Sequence, residues 1–232
     1  MSQAFYDMMH LFACGARGRE PALDHTINVS EIYRQAMVQA TWHTVFLGLK
    51  RLCASGGVQI PKQQLESWQL EVEFTVLQSA RRQVAVNNIV EKLEQAGIEC
   101  CLLKGNVLAE LYETPSCRIS ADTDLLIQPQ AEKKAIEIMR QYGFKVEERA
   151  KSSNQTVCRS KEGGTVELHI SLNNKQMDEI WFRDMAQKTE PHREFKTSEG
   201  LCCHTLGVTD GLVLVALHFI KHFINRAAGR CV

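Results

Sequence analysis

The stretch RISADTDLLI, residues 118–127, places two carboxylates one residue apart, immediately before three apolar residues. The apolar residues predict a buried β-strand, on which Asp122 and Asp124 point to the same face because side chains alternate with a period of two. Two carboxylates so close repel each other unless a cation lies between them or water solvates them. The stretch therefore allows a metal site, or a solvated polar turn in which Ser120 or Asp122 bonds to nearby backbone.

The segments around this stretch predict a mixed α+β core. A buried strand over residues 98–104, a helix from Gly105, the strand at 121–128 and a helix over 129–143 follow one another. Three further strands are predicted at the end of this core: residues 144–150, 154–160 and 164–172, the last two joined by a turn at Gly163 and Gly164. Strands alternating with helices favour a small sheet flanked by helices.

Helical patterns dominate on both sides of this core. Ser30 is the predicted cap of a helix over residues 31–52, and a long helix is predicted from Pro61 to Gln95, with Gly97 ending it. After residue 170 the chain is predicted to be mostly helical or irregular, with an apolar helix over 211–225. We therefore expect a helical region (1–96), a mixed α+β core (97–175) and a mostly helical C-terminal region (176–232).

Composition narrows the class of protein. The 27 basic and 27 acidic residues balance, which argues against a strongly basic nucleic-acid surface. No apolar run reaches the ~18–20 residues that a membrane span needs, and the N-terminus lacks the pattern of a signal peptide. None of the nine cysteines forms a C-x2-C pair. Free thiols in a reducing cytosol, and hence a cytoplasmic protein, are the expectation.

A third acid and a glycine turn extend the pattern around the two aspartates. Glu167 stands alone between Val166 and Leu168 on a predicted strand, so three carboxylates could form the oxygen-rich set that Mg²⁺ prefers. Upstream, Lys104 and Gly105 lie at a predicted strand-to-helix junction. Free N–H groups and a lysine charge at such a junction can hold phosphate.

Taken in order, K-G, R-x-S-x-D-x-D and E-L-H resemble the uncharacterised nucleotidyltransferase family of the DNA polymerase β-like superfamily, over residues 98–170. The resemblance implies a polymerase β-like core in which Asp122 and Asp124 bind the metal and Glu167 is the third catalytic acid and metal ligand. It also implies a set of nucleotide-binding residues: Lys104, Gly105, Asn106, Arg118 and Ser120. Asn106 departs from the serine usual in the superfamily, and Thr123 stands where an apolar residue is more common.

The same resemblance implies the reaction. With Mg²⁺ or Mn²⁺, an acceptor hydroxyl would attack the α-phosphate of an NTP, with ATP the expected substrate, and pyrophosphate would leave. The acceptor could be a small molecule, a protein side chain or an RNA end, since the superfamily modifies all of these classes. We expect Asp122→Ala and Asp124→Ala to abolish transfer and to leave the fold intact.

Two alternatives remain at the level of sequence. The core could be a nucleotide-binding regulatory module without turnover. His218 and His222 have the one-turn spacing of zinc ligands, so a helical zinc-binding scaffold is a second alternative, although Phe219 stands where H-E-x-x-H has glutamate. The favoured interpretation of this pair is structural, or lining the nucleotide cleft. His169, which shares a face with Glu167, is predicted to be a hydrogen-bonded structural histidine.

Overall fold

The structure is a computed structural model that describes residues 1–147, 153–172, 193–198, 200 and 202–224. It divides into two compact units. The helical unit comprises Met1–Ser79 and Ala109–Ile119 with the last described turn of the final helix, and the sheet unit comprises Ala80–Leu108 and Ser120–His218. The described residues confirm the predicted α+β class.

The described helices are α1 (Gln3–Arg17), α2 (Val29–Val38), α3 (Trp42–Ala54), α4 (Lys62–Gln95), α5 (Lys104–Ala109), α6 (Glu132–Gln141) and α7 (Val208–Ile224). Short 3₁₀ turns occupy Pro115–Cys117 and Pro129–Ala131. The strands are β1 (Cys101–Leu102), β2 (Asp122–Leu126), β3 (Lys145–Val146), β4 (Gln155–Ser160), β5 (Gly164–His169), β6 (Arg193–Lys196) and β7 (Cys202–Thr205).

The single helix predicted over residues 31–52 is wrong, because the chain breaks it into α2 and α3. Ala40 has a φ of 56°, a left-handed backbone that an α-helix does not continue through. The predicted cap also moves by two residues: the side chain of Asn28, not Ser30, accepts a hydrogen bond from the backbone N–H of Glu31 at 3.1 Å. Two short helices thus replace one long helix in the helical unit.

Two glycines let α1 and α3 approach each other closely within the helical unit. A Cβ atom built on Gly15 would lie 2.1 Å from the carbonyl oxygen of Thr44, and one built on Gly48 would lie 2.1 Å from that of Leu11. Side chains at either position would force the helices apart. Around this crossing the unit buries an apolar core that includes Met8, Leu11, Ile32, Phe46, Leu49 and Trp68.

The long helix predicted from Pro61 to Gln95 is confirmed as α4, and its end follows the predicted signal. Gly97 has a φ of 75°, and the N–H of Ile98 donates to the carbonyl of Leu93 at 2.9 Å. This is the pattern in which a left-handed glycine closes the last turn of a helix. The second half of α4 then supplies Val86, Ile89, Val90 and Leu93 to the core of the sheet unit.

The sheet unit contains seven described strands in the order β3-β4-β5-β2-β1-β7-β6. The pairs β2–β5 and β1–β7 are parallel, and the other neighbours are antiparallel. One face packs against α4 and α6 through an apolar cluster that includes Leu125, Val166, Leu168 and Met139. A smaller cluster, centred on Cys101, Leu103 and Leu206, also packs on the sheet.

Several predicted strand boundaries were wrong. The strand expected over 98–104 is only Cys101–Leu102, and Lys104 instead begins α5. Of the described residues in the segment 144–150, Lys145–Val146 form the strand β3, and 148–150 lie outside the described residues. The C-terminal region, predicted as mostly helical or irregular, contributes β6 and β7 to the same sheet. The turn between β4 and β5 is as predicted, with Gly164 at a φ of 65°.

The described cysteines and helices can be compared with the two expectations from composition, free thiols and no membrane-spanning helix. Among the described residues, the following cysteines are free thiols: Cys14, Cys53, Cys100, Cys101, Cys117, Cys158 and Cys203. Most of them are buried, as expected of cysteines that behave as small apolar side chains. Within the described ranges, no helix combines the length and the apolar character needed to cross a membrane.

Candidate active site

Parallel pairing of β2 with β5 builds the candidate site. Asp124 is directly aligned with Glu167, and Leu126 with His169. Because side chains alternate along a strand and aligned neighbours share a face, Asp122 joins these polar side chains on one face of the sheet. The residues between them point the other way into the apolar core, as the complete burial of Leu125 and Leu168 shows. The strand register thus places the charged side chains on one face of the sheet and the apolar core on the other.

Asp124 is the most enclosed carboxylate of this group, with only 4% of its surface exposed. Its Oδ1 lies 2.8 Å from Nε2 of His169 and 3.1 Å from Nζ of Lys104. Burial by itself would raise the pKa of Asp124, but the hydrogen bonds and positive charges of His169 and Lys104 outweigh it and hold that pKa below its usual value. Asp124 is therefore ionised and already paired with cationic groups.

Asp122 is in a different situation, although only one residue separates it from Asp124. Its Oδ1 accepts a hydrogen bond from Oγ of Ser120 at 3.3 Å, and its side chain is half-buried. Burial raises the pKa of Asp122, and the negative charges of Asp124 and Glu167 raise it further. The site therefore holds a surplus of negative charge at Asp122, where a cation would relieve the repulsion.

His169 lies between two carboxylates. Its Nε2 is 3.6 Å from Oε2 of Glu167 as well as 2.8 Å from Asp124. Burial would lower the pKa of His169, yet the hydrogen bond to Asp124 and the nearby carboxylate of Glu167 raise it above the ordinary histidine value. The hydrogen-bonded histidine expected from the sequence is thus present, with carboxylate partners that favour its charged form.

A compact set of ligand atoms emerges from this geometry. One atom each from Asp124, Glu167 and His169 lie within 4.8 Å of one another, close enough to share a metal ion. The sequence predicted Asp122, Asp124 and Glu167 as the metal ligands and His169 as a structural histidine. The period-two match between His169 and Glu167 on one strand is the signal that predicts His169 beside the carboxylates.

The predicted nucleotide-binding turn begins with an unusual backbone. Lys104 has a φ of 38°, in the left-handed region that non-glycine residues seldom adopt. Beside it, Gly105 is buried within α5. Nδ2 of Asn106 donates to Oε1 of Gln83 at 2.6 Å, whereas its buried Oδ1 has no hydrogen-bond partner among the described residues. Gln83 supports this turn from α4, and no local pattern in the sequence indicates this contact.

The remaining predicted site residues are Ser120, Arg118 and the histidine pair His218 and His222. Ser120 contacts Asp122, as above, whereas Arg118 belongs to the helical unit, so its proposed phosphate contact stays a prediction. Nδ1 of His218 lies 3.5 Å from Nζ of Lys104. The side chain of His222 lies outside the described residues, so the zinc-binding alternative also stays a prediction.

The chain matches the model of one protein family over most of its length. A family model described as uncharacterised nucleotidyltransferase matches residues 25–230, which is most of the chain. The chain belongs to this family, and the resemblance drawn from its motifs is confirmed. No curated protein gives a significant sequence match.

Two solved structures show a partial likeness to the chain. The antibiotic-resistance factor ANT(2″)-Ia in solution is 12% identical, with a TM-score of 0.41 over 61% of this chain and 71% of that protein. The lincosamide antibiotic adenylyltransferase LnuA with lincomycin bound is 16% identical, with a TM-score of 0.42 over 64% of this chain and 96% of that protein. The assignment to a family of nucleotidyltransferases rests on the family match.

Proposed function

We propose that this chain is a metal-dependent nucleotidyltransferase that moves a nucleoside monophosphate from an NTP, with ATP the expected donor, to an acceptor hydroxyl. The observation that carries the proposal is the register of β2 and β5, which aligns Asp124 with Glu167 and leaves Asp122 on the same face. Family membership supports the reaction class. The balanced charge of the chain favours a small-molecule or protein hydroxyl over a long nucleic acid as the acceptor.

The residues of the site fit a divalent cation of the Mg²⁺ or Mn²⁺ type. Carboxylate oxygens are the ligands such ions prefer, and Asp122, Asp124 and Glu167 would hold it. The raised pKa of Asp122 follows from burial and from its acidic neighbours, so a bound cation would lower the energy of this cluster. When bound, the ion would polarise the triphosphate and offset the negative charge that develops on the leaving pyrophosphate.

The chain's own groups would then orient the nucleotide and control protons. Lys104 would supply a positive charge beside the carboxylates and would bind the phosphates of the nucleotide. Nε2 of His169 holds a proton toward Oδ1 of Asp124 and so fixes the direction of that carboxylate. Positioning and charge stabilisation of this kind provide most of the rate in phosphoryl-transfer reactions.

Transfer of radiolabel from each α-labelled NTP tests the proposal, with Mg²⁺ or Mn²⁺ and panels of small-molecule, protein and RNA acceptors. We expect metal-dependent transfer that falls by at least ~100-fold in Asp122→Asn and Glu167→Gln, because each removes a negative charge that would hold the divalent cation. Glu162→Gln, on the exposed turn between β4 and β5, is the control and should transfer normally.

Two results would contradict the proposal. Full activity in Asp122→Asn would remove the assigned site, and nucleotide binding without transfer to any acceptor class would identify a regulatory module with the same fold. The second result is read by a dialysis measurement of ATP binding on the same preparations.

A further inference from the structure

Lys104 is the nearest described lysine charge to the deepest carboxylate of the site. Its Nζ lies 3.1 Å from Oδ1 of Asp124, and its side chain is 16% exposed against 5% for that of Asp124. An enclosed pair of this kind is strongly coupled, since low-dielectric surroundings strengthen the attraction between opposite charges. The amine thus lies where a cation bound to Asp124 would carry its charge.

The backbone holds this amine in place. Leu103 donates its N–H to the carbonyl oxygen of Asp124 at 3.0 Å, which ties the turn before α5 to the strand that carries the aspartate. The next residue, Lys104, adopts a φ of 38°. A non-glycine residue in this region is strained and persists only where its surroundings impose it. The turn therefore directs the lysine toward Asp124 at some cost in backbone energy.

The lysine also has somewhere to move. Its four-carbon side chain is flexible, and its ammonium carries a compact charge without fixed directionality. His169 contacts the same oxygen of Asp124 at 2.8 Å, so the carboxylate keeps one hydrogen-bond partner when the lysine leaves. A triphosphate, which carries several negative charges, would attract the ammonium away from a single carboxylate.

We propose that Lys104 is a substrate-displaced counter-ion. In the nucleotide-free protein it neutralises Asp124 and opposes binding of the divalent cation, and when the nucleotide arrives it moves to the phosphates and frees the carboxylate for the ion. This inference rests on the proposed function and adds a binding order to it: metal and nucleotide bind together. By linkage, the nucleotide raises metal affinity by the same factor as the metal raises nucleotide affinity.

The test is Mn²⁺ binding to the full chain, followed by the electron paramagnetic resonance signal of free Mn²⁺. It is measured with and without α,β-methylene ATP, which cannot transfer its nucleotide. We expect the wild-type protein to bind Mn²⁺ at least tenfold more tightly with the analogue than without it. In Lys104→Met the analogue-free affinity should rise at least tenfold, and the analogue should then add little.

Three further variants make the test specific. Lys104→Arg keeps the charge and should retain weak analogue-free binding, whereas Lys104→Gln should tighten it as Lys104→Met does, and serves if the methionine variant fails to fold. Lys161→Met, at an exposed position, should behave as wild type.

The outcomes separate this inference from the proposed function. If Asp122→Asn abolishes Mn²⁺ binding but both neutral variants of Lys104 leave the analogue-free affinity unchanged or weaker, the metal site stands and the counter-ion proposal is wrong. If no Mn²⁺ binding depends on Asp122 with or without the analogue, the proposed metal site is wrong, and the inference fails with it.

Discussion

Two enclosed histidines, one in each unit, show opposite electrostatic environments. His43 lies in α3 of the helical unit, is 1% exposed, and neither ring nitrogen has a hydrogen-bond partner among the described residues. Burial alone lowers the pKa of His43 to about 4. His169 is also enclosed, but Asp124 and Glu167 overcome the effect of burial and raise its pKa.

The two units therefore enclose a histidine in different ways, one without a charged partner and one beside carboxylates. The helical unit encloses a histidine as a neutral packing group, in ring contact with Trp42 at a centroid distance of 3.9 Å. The sheet unit surrounds its histidine with carboxylates that keep it charged. Because burial disfavours charge unless it is paired, only the second environment is suited to bind and orient ions.

The largest expected effect on this comparison is the loss of Asp124. Asp124→Asn removes the counter-charge of both Lys104 and His169, so we expect the free energy of unfolding to fall by about 3 kcal/mol. For a chain of this size, that corresponds to a fall in Tm of about 10 °C. For Asp124, the contacts therefore predict a loss of stability, whereas the sequence alone predicts an intact fold after removal of either aspartate.

Thermal and urea denaturation in metal-free buffer at pH 7 measure this change. Glu162→Gln, an exposed substitution of the same kind, is the control and should leave Tm unchanged. A variant of Asp124 that melts with the wild-type protein would show that the ion pairs do not stabilise the sheet unit.

The next largest effect is expected at His43, whose burial makes the stability of the protein depend on pH. A histidine whose pKa is lower in the folded protein than in the unfolded chain takes up a proton on unfolding. Stability is therefore present above pH ~6.5 and is lost as the pH falls toward about 4. His43→Leu removes this titration and an unpaired buried ring, so it should stabilise the protein by roughly 2 kcal/mol near pH 4.5.

Urea denaturation of the wild-type protein and His43→Leu across pH 4.5 to 8 reads out this difference. The gain should shrink as the pH rises from 4.5 toward 6.5 and should then stay constant up to pH 8. An equal gain at every pH would mean that the ring is not excluded from protonation, and the contrast with His169 would then be lost.

We expect Asp122→Asn to change stability by a smaller amount than Asp124→Asn and in the opposite direction. The pKa of Asp122 is raised in the folded protein by burial and by its acidic neighbours. The folded state therefore binds this proton more readily than the unfolded chain, and stability is lost as the pH rises through the folded pKa. Removing the charge should raise Tm by a small amount at pH 7 and have no effect at pH 3.

Differential scanning calorimetry in metal-free buffer at both pH values would measure this shift. Addition of Mg²⁺ sharpens the contrast, since the wild-type protein should gain stability from the ion and Asp122→Asn should gain less. A lower Tm for Asp122→Asn at pH 7 without metal would show that the two aspartates do not differ as their contacts indicate.

Local patterns in the sequence predicted much of this architecture. The length of α4 and its end at Gly97 followed from helix signals, and the turn at Gly164 followed from adjacent glycines. The placement of Asp122 and Asp124 on one face needed only the period of a strand. Each of these features depends on residues close together in the chain.

The features that the sequence did not predict depend on distant partners or on unusual backbone. No glycine or proline marks the break at Ala40. The short strand β7 exists because it pairs with β1, and neither carries a long alternating pattern. The alignment of Asp124 with Glu167, and the ion pair with Lys104, likewise arise from tertiary packing rather than from local propensity.

The parallel register that aligns the acids also constrains how the chain folds. The hairpin of β4 and β5 joins neighbouring segments and can form early, whereas β2 must meet β5 across 43 residues and β1 must meet β7 across 103. Contacts between distant segments form slowly, because closing a long loop costs entropy before any contact repays it. During synthesis, the strand bearing Glu167 must leave the ribosome before the acids can come together, so we expect the charged cluster to assemble after the hairpin of β4 and β5 and before β7 pairs with β1.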